Sequence, residues 1–196
     1  MAARRSIGRL SEPAPDDEEL RLLIAAAAAA PDHGRLRPSR FIALRGANKD
    51  AFGDVLEQAY RQRCAAAGVE PDPAAAQKER TKLGRAPLVV VAATTRPEPD
   101  SPEAGSRNAA TIPWDERKHS TAAAVQNLLL ATTSLGYGSM WRTGDPARDS
   151  FVKEALGLEP EAEIIGFIYI GTPPEGGGPP PHALASDGLL TEWQRL

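Results

Sequence analysis

Hydrophobic positions along this 196-residue chain recur at two periods, and the switching between them predicts helices interleaved with strands. Pro13, Ala14 and Pro15, then Asp16 to Glu19, open a helix with carboxylates at its positive end. Leu20, Leu23, Ile24 and Ala27 follow at i, i+3, i+4 and i+7, and Pro31 stops the run. Phe41 to Leu44, between Pro38 and Gly46, reads as a strand. Phe52, Val55, Leu56, Ala59 and Tyr60 share one face of a second helix that Gly68 ends, and the Ala-rich, charged stretch 71–84 predicts a more exposed helix. Leu88 to Ala93 is apolar without alternation and rich in β-branched residues, which marks a central strand covered on both faces. Between Arg96 and Ile112, three prolines and Gly105 predict a loop long enough to border a site. A long helix spans 115–135, and its Leu128, Leu129 and Leu130 leave no polar side there, which predicts burial in a core or a dimer interface. Met140 and Trp141 read as a brief strand, 147–156 as a helix stopped by Gly157, and 163–171 as a third strong strand.

This order predicts an α+β domain, an α/β sandwich over residues 1–173, followed by a tail over 174–196 in which Gly176 to Gly178 and Pro179 to Pro181 cannot build a core. A net charge of −3 leaves no basic excess for a nucleic acid, and no apolar run is long enough for a membrane. Cys64 is the single cysteine, so a reducing cytoplasm is the expected compartment. His33, His119 and His182 lack metal-ligand spacing, and no metal is expected.

Three clusters carry candidate chemistry. Arg4, Arg5 and Ser6 offer two guanidinium forks and a hydroxyl, a set suited to a phosphate, although a solvated basic N-terminus is the plainer reading of the triplet alone. Ala30 to Pro38 places His33, Arg35 and Arg37 in a turn held by two prolines, which suits a polar ring edge or a ribityl chain; an ordinary turn histidine is equally compatible. Gly136 to Gly144 starts as G-x-G, but a helix precedes it, Trp141 stands at the third glycine and no βαβ unit follows, so a dinucleotide fingerprint is excluded. What remains is a glycine-lined approach to Trp141, Arg142 and Thr143.

In order, these clusters resemble the nitroreductase family of FMN-dependent oxidoreductases, above all its short bacterial NAD(P)H nitroreductases. The resemblance rests on R-R-S at 4–6, A-P-D-H at 30–33 with Pro38 and Phe41, and R-A-P-L-V at 85–89. It continues through Pro113 and Trp114, 124–131, L-G-Y-G at 135–138, W-R-T-G at 141–144 and the strand from Ile165 to Pro173. It implies a central mixed sheet wrapped by helices and an intertwined homodimer with FMN at the interface, each site built by both subunits. Arg4 and Ser6, with Arg5 beside them, are then the flavin-phosphate residues. Ala29, His33, Leu36 and Arg37 lie along the flavin, and Trp141, Arg142 and Thr143 close over its phosphate and ribityl end. Ala131, Thr132, Thr133, Ser134, Leu135 and Gly136 correspond to a nicotinamide-cofactor region.

The implied activity is hydride transfer from NADH or NADPH through flavin N5 to a nitroaromatic or quinone, with the protein supplying orientation and electrostatics, so no catalytic acid or base is named. His33, Arg35 and Arg37 are the candidate donors to the reduced flavin's pyrimidine edge. Family members carry a helix ahead of R-R-S, and only Met1, Ala2 and Ala3 precede Arg4 here. That departure motivates the alternative of a flavin-binding or storage protein without turnover. Ser39 replaces a common bulky aromatic, which predicts a wider flavin pocket.

Overall fold

Four apolar segments pair into one sheet in the computed structural model, which describes residues 3–176, 180 and 188–193. The elements in chain order are α1 (Asp17–Ala28), β1 (Ser39–Arg45), α2 (Gly46–Ala66), α3 (Pro73–Thr81), β2 (Leu88–Thr94), α4 (Arg107–Thr111), α5 (Trp114–Ser134), β3 (Gly138–Arg142), α6 (Asp145–Arg148), α7 (Ser150–Ala155) and β4 (Glu163–Gly171). The strand order is β1-β2-β4-β3, and all three pairings are antiparallel. The mixed character expected of the sheet is therefore confined, among the described residues, to an isolated parallel bridge between Ser6 and Ser139. Most of the Gly/Pro-rich stretch of the expected tail lies outside the described residues.

Every residue of β2 is buried, as its unbroken apolar pattern predicts. Val89, Val91 and Ala93 face α2 and α7, whereas Leu88, Val90 and Ala92 face α1 and α5. On the second face Leu128 is fully buried and Leu129 nearly so, packed with Leu23, Ala27 and Ile168. The apolar run in α5 is thus largely covered by its own chain, since α1 supplies the cover that the sequence pattern left unspecified.

Helix starts follow local chemistry. Asp16 accepts from the Glu19 backbone N–H at 2.8 Å while the Glu19 carboxylate accepts from the Asp16 N–H at 3.1 Å, a reciprocal cap at the start of α1. The predicted helix over 147–156 divides into α6 and α7, because Asp149 leaves helical geometry and accepts from the N–H groups of Phe151 and Val152 as a new cap. Gly53 brings α2 and α3 together, since a Cβ there would lie 2.2 Å from the Arg80 carbonyl oxygen.

Candidate active site

The R-R-S triplet runs along the outer edge of β3. The Ile7 N–H donates to the Ser139 carbonyl at 3.0 Å and the Leu10 N–H to the Arg85 carbonyl at 2.8 Å, while the Ile7 and Leu10 side chains are buried. These anchors leave Ser6 exposed and Arg4 and Arg5 half-buried. Arg5 donates to the Ala3 carbonyl at 3.3 Å, and the Arg4 guanidinium has no ion-pair partner among the described residues. The W-R-T segment lies on the same edge. Trp141 crosses over Gly166, where a Cβ would lie 2.1 Å from the indole nitrogen, and donates to the Ile165 carbonyl at 3.1 Å. Thr143 is exposed, and both the Arg142 Nε and the Ser139 hydroxyl are buried without a hydrogen-bond partner. Buried donors are normally matched, so an edge with several unmatched ones is suited to an external acceptor.

The turn around His33 precedes β1, at the opposite edge of the sheet. Gly34, Arg35 and Arg37 all have positive φ, at 77°, 56° and 47°. Two non-glycine residues in that region require support from their surroundings. Asp32 supplies part of it by accepting from the Arg37 N–H at 2.6 Å, and Asn108 donates to the Gly34 carbonyl at 3.1 Å. The His33 ring contacts the Glu116 carboxylate, and its backbone N–H donates to the Ser120 hydroxyl at 3.3 Å. Arg37 pairs with Glu103 at 3.2 Å. Ala29 is exposed at the end of α1. Leu36 is only 1% exposed, so it supports the turn from beneath and presents no surface to a ligand. Beside the turn, Ile24, Pro31, Asp32, Arg37, Ser39 and Phe41 help to line a cavity of about 270 Å³. Ser39 donates to the Thr121 hydroxyl at 3.2 Å on its wall.

The segment 96–112 is pinned over this turn. Its anchor is Arg117, 5% exposed, which donates to the carbonyls of Ala109 and Ile112 at the end of α4 and lies over the Trp114 ring. Burial, with Arg96 nearby, holds the Arg117 guanidinium below its ordinary pKa. Sequence reasoning missed Arg117, because a charged residue in the first turns of an amphipathic helix ordinarily faces water.

Residues 131–136 form the C-terminal end of α5. The hydroxyls of Thr132, Thr133 and Ser134 donate back to the carbonyls of Leu128, Leu129 and Leu130 at 2.8, 3.0 and 2.8 Å. Leu135 is exposed and Gly136, at φ 86°, turns the chain out of the helix. A helix C-terminus is a partial negative charge, which disfavours the diphosphate of a nicotinamide cofactor, and Thr132 is fully buried. Next in the chain, the Tyr137 hydroxyl donates to Glu19 at 2.7 Å; that bond, with burial, raises the phenol to about 12. Among the described residues no group of three or more His, Cys, Asp or Glu side chains could hold a metal ion.

The profile of the Nitroreductase family matches residues 1–172. This chain belongs to the nitroreductase family. It is 34% identical over 170 residues to "Putative NAD(P)H nitroreductase YdjA" of Escherichia coli, covering 87% of this chain and 84% of that one. Among solved structures, an FMN- and NADPH-dependent nitroreductase mutant derived from a Sphingopyxis strain superimposes with a TM-score of 0.71 at 17% identity, covering 100% of this chain and 97% of that one. A nitroreductase with bound FMN from Bacteroides fragilis gives 0.66 at 19% identity, covering 98% and 95%. In this nitroreductase-family chain the two flanking clusters are far apart. Ser6 pairs with Ser139, which lies opposite Ile170, then Leu88, then Arg45, whereas the His33 turn enters β1 at Ser39. Strand spacing and rise put Ser6 and Ser39 roughly 25 Å apart across the diagonal of the sheet. No helix among the described residues is long and apolar enough to cross a membrane.

Proposed function

We propose that this chain is an FMN-dependent NAD(P)H oxidoreductase that reduces nitroaromatic or quinone acceptors in a ping-pong sequence, working as a homodimer with flavin at the subunit interface. The observation that carries this reading is the diagonal separation of the R-R-S triplet from the His33 turn within a nitroreductase-family chain. One flavin mononucleotide does not span that distance inside one subunit, whereas two copies placed edge to edge can bring one chain's triplet beside the other's turn. Bound flavin would supply hydride acceptance and return at N5.

The residues fit such a group. Arg4 has no carboxylate partner among the described residues, and the Ser6 hydroxyl is exposed beside it, so the pair can receive a phosphate dianion. Arg142 and Thr143, farther along the same edge, extend the donor row toward the ribityl chain. From the second copy, the His33 turn presents Ala29, His33 and Arg37 on a backbone that Asp32 and Asn108 hold still. Such preorganised donors stabilise negative charge on a bound ring without reorganising. Leu36 acts from below, and the pinned segment 96–112 is the long wall left to shape acceptor choice. The proposed flavin-binding domain runs from residue 1 to residue 173.

The test is spectroscopic and kinetic. Purified protein should be yellow and bleach on addition of NADH or NADPH, and reciprocal plots for varied donor at several acceptor concentrations should be parallel. Intersecting lines would refute the shared site, a protein that takes up FMN but is not bleached by NADH or NADPH would favour a flavin-binding role without turnover, and a colourless dimer that never takes up added FMN would overturn the flavin reading.

A further inference from the structure

A second cavity, of about 190 Å³, lies on the opposite face of the sheet from the α1 and α5 layer. It is enclosed by α2, α3, β4 and the end of β3. Its apolar floor includes Leu56, Leu83 and Phe167. Its polar lining is lopsided: Lys78, Lys82, Arg85 and Arg142 stand against the single carboxylate of Glu79. That carboxylate is already engaged by Lys82 at 2.6 Å. Lys78, Arg85 and Arg142 have no ion-pair partner among the described residues, and the Arg142 Nε is buried with no hydrogen-bond acceptor at all.

Tyr169 completes the lining. The residue is 4% exposed, and its hydroxyl has no hydrogen-bond partner among the described residues. Burial pushes this phenol up to about 12, even though Arg142 and Arg85 pull the other way, so at neutral pH it is a donor in search of an acceptor. Three cations without an ion-pair partner among the described residues gather at this cleft with a free phenol, and the Arg142 Nε is the buried donor left unmatched. An oxyanion in the cavity can accept from several of these donors at once, the buried Arg142 Nε among them.

We infer that this cleft is a binding site for a phosphate-class oxyanion, held by Lys78, Arg85 and Tyr169 together with Arg142. Lys78, Arg85 and Tyr169 stand outside the R-R-S, His33 and W-R-T clusters, so the inference adds residues that the flavin reading does not use. The anion proposed is the phosphate of a small molecule other than the flavin; the flavin's own phosphate, which the reading above gives to Arg4 and Ser6, is the competing occupant that the test separates.

Titration calorimetry with inorganic phosphate, at an ionic strength held constant with chloride, tests the site in the full-length protein before and after FMN loading. Phosphate is expected to bind once per chain, and Arg85→Gln and Lys78→Ala should each weaken it about 10-fold or more, the usual effect of losing a hydrogen bond or ion pair to a charged group. Lys78 is exposed on α3, so its variant reports on the site even where Arg85→Gln disturbs packing. Phosphate binding that persists after FMN loading supports the site and assigns it to a separate ligand. Binding lost on FMN loading would make the cleft part of the flavin site and overturns the inference. A heat no larger than that of chloride, or equal phosphate affinity in both variants and the parent, overturns the inference. Neither result depends on turnover, so failure of this site is distinguishable from failure of the flavin reading.

Discussion

At the β1 edge of the sheet His33 meets Glu116, Arg37 meets Glu103 and Arg40 meets Glu98, whereas at the β3 edge Arg4 and Arg142 have no carboxylate partner among the described residues. Both edges were recognisable in the sequence as clusters of cations, yet they handle charge in opposite ways. The first pairs His33, Arg37 and Arg40 with carboxylates around a turn with three positive φ values, and leaves only the exposed Arg35 there without an ion-pair partner among the described residues. The second leaves donors unmatched, two of them buried, on a surface framed by the N-terminal segment. A matched edge can contribute shape and preorganisation, and an unmatched one can contribute affinity for an anion. Changes at the two edges should therefore fall on different measurements.

The largest effect should come from the scaffold common to both. Leu128 of α5 is fully buried beneath α1 and against the sheet, so Leu128→Ala removes side-chain volume that the surrounding strands cannot fill. A loss of about 2–5 kcal/mol in denaturant unfolding is expected, with flavin retention falling in parallel because both edges hang from this core. The edges themselves separate next. Arg4→Ala should weaken FMN binding by about 1.5–3 kcal/mol, or about 10- to 150-fold in fluorescence titration. Arg37→Ala, whose side chain is 84% exposed and already paired, should change it far less. Equal losses from the two variants would erase the distinction between the edges.

The parts of this fold legible in the sequence were those fixed by local pattern. Unbroken apolar runs located β2 and β4, the proline and acidic run located α1, and Gly68 marked the end of α2. The order of the three clusters was legible too, because they lie along the chain. Their placement was not. The diagonal separation of Ser6 from Ser39 arises from strand order β1-β2-β4-β3, which depends on contacts between residues far apart in sequence. Arg117 and the cavity around Tyr169 were hidden for the same reason. Lys78 of α3, Arg85 between α3 and β2, Arg142 of β3 and Tyr169 of β4 come from four separate segments, and nothing in the spacing of any one of them announces the others. Leu36 illustrates the converse, a residue placed correctly in its loop whose burial only the packing reveals.

Alkaline titration probes the β3 side by another route. Tyr137 and Tyr169 both have phenols raised from an ordinary value of 10.0 to about 12, the first chiefly by its hydrogen bond to Glu19 and the second by burial. The folded chain therefore favours the protonated phenol. Unfolded chains lose that proton near pH 10 while the folded one keeps it. The stabilisation is complete below about pH 10 and is lost as the pH rises toward 12. Thermal midpoints should fall across this window, and Tyr169→Phe should flatten the fall. An unchanged slope in that variant would show that its burial does not carry the effect. Because no tyrosine lines the cavity beside the His33 turn, substitutions there should leave the slope alone.

The smallest effect belongs to the matched edge. Glu103→Gln keeps the shape of the side chain while removing its charge, so it isolates the ion pair with Arg37 from the packing of the 96–112 segment. The Arg37 side chain is 84% exposed against 17% for Glu103, a geometry in which solvent screens the attraction, and the expected loss is about 0–1 kcal/mol at low salt. The same change should vanish by about 1 M salt, where the Debye length has contracted to about 3 Å. Acceptor specificity is the more sensitive readout, since freeing one contact between the pinned segment and the turn alters the wall of the site more than the stability of the fold. A loss of several kcal/mol that persisted in high salt would mean that Glu103 is part of a buried network, and that the β1 edge holds its turn by burial and not by matched surface charge.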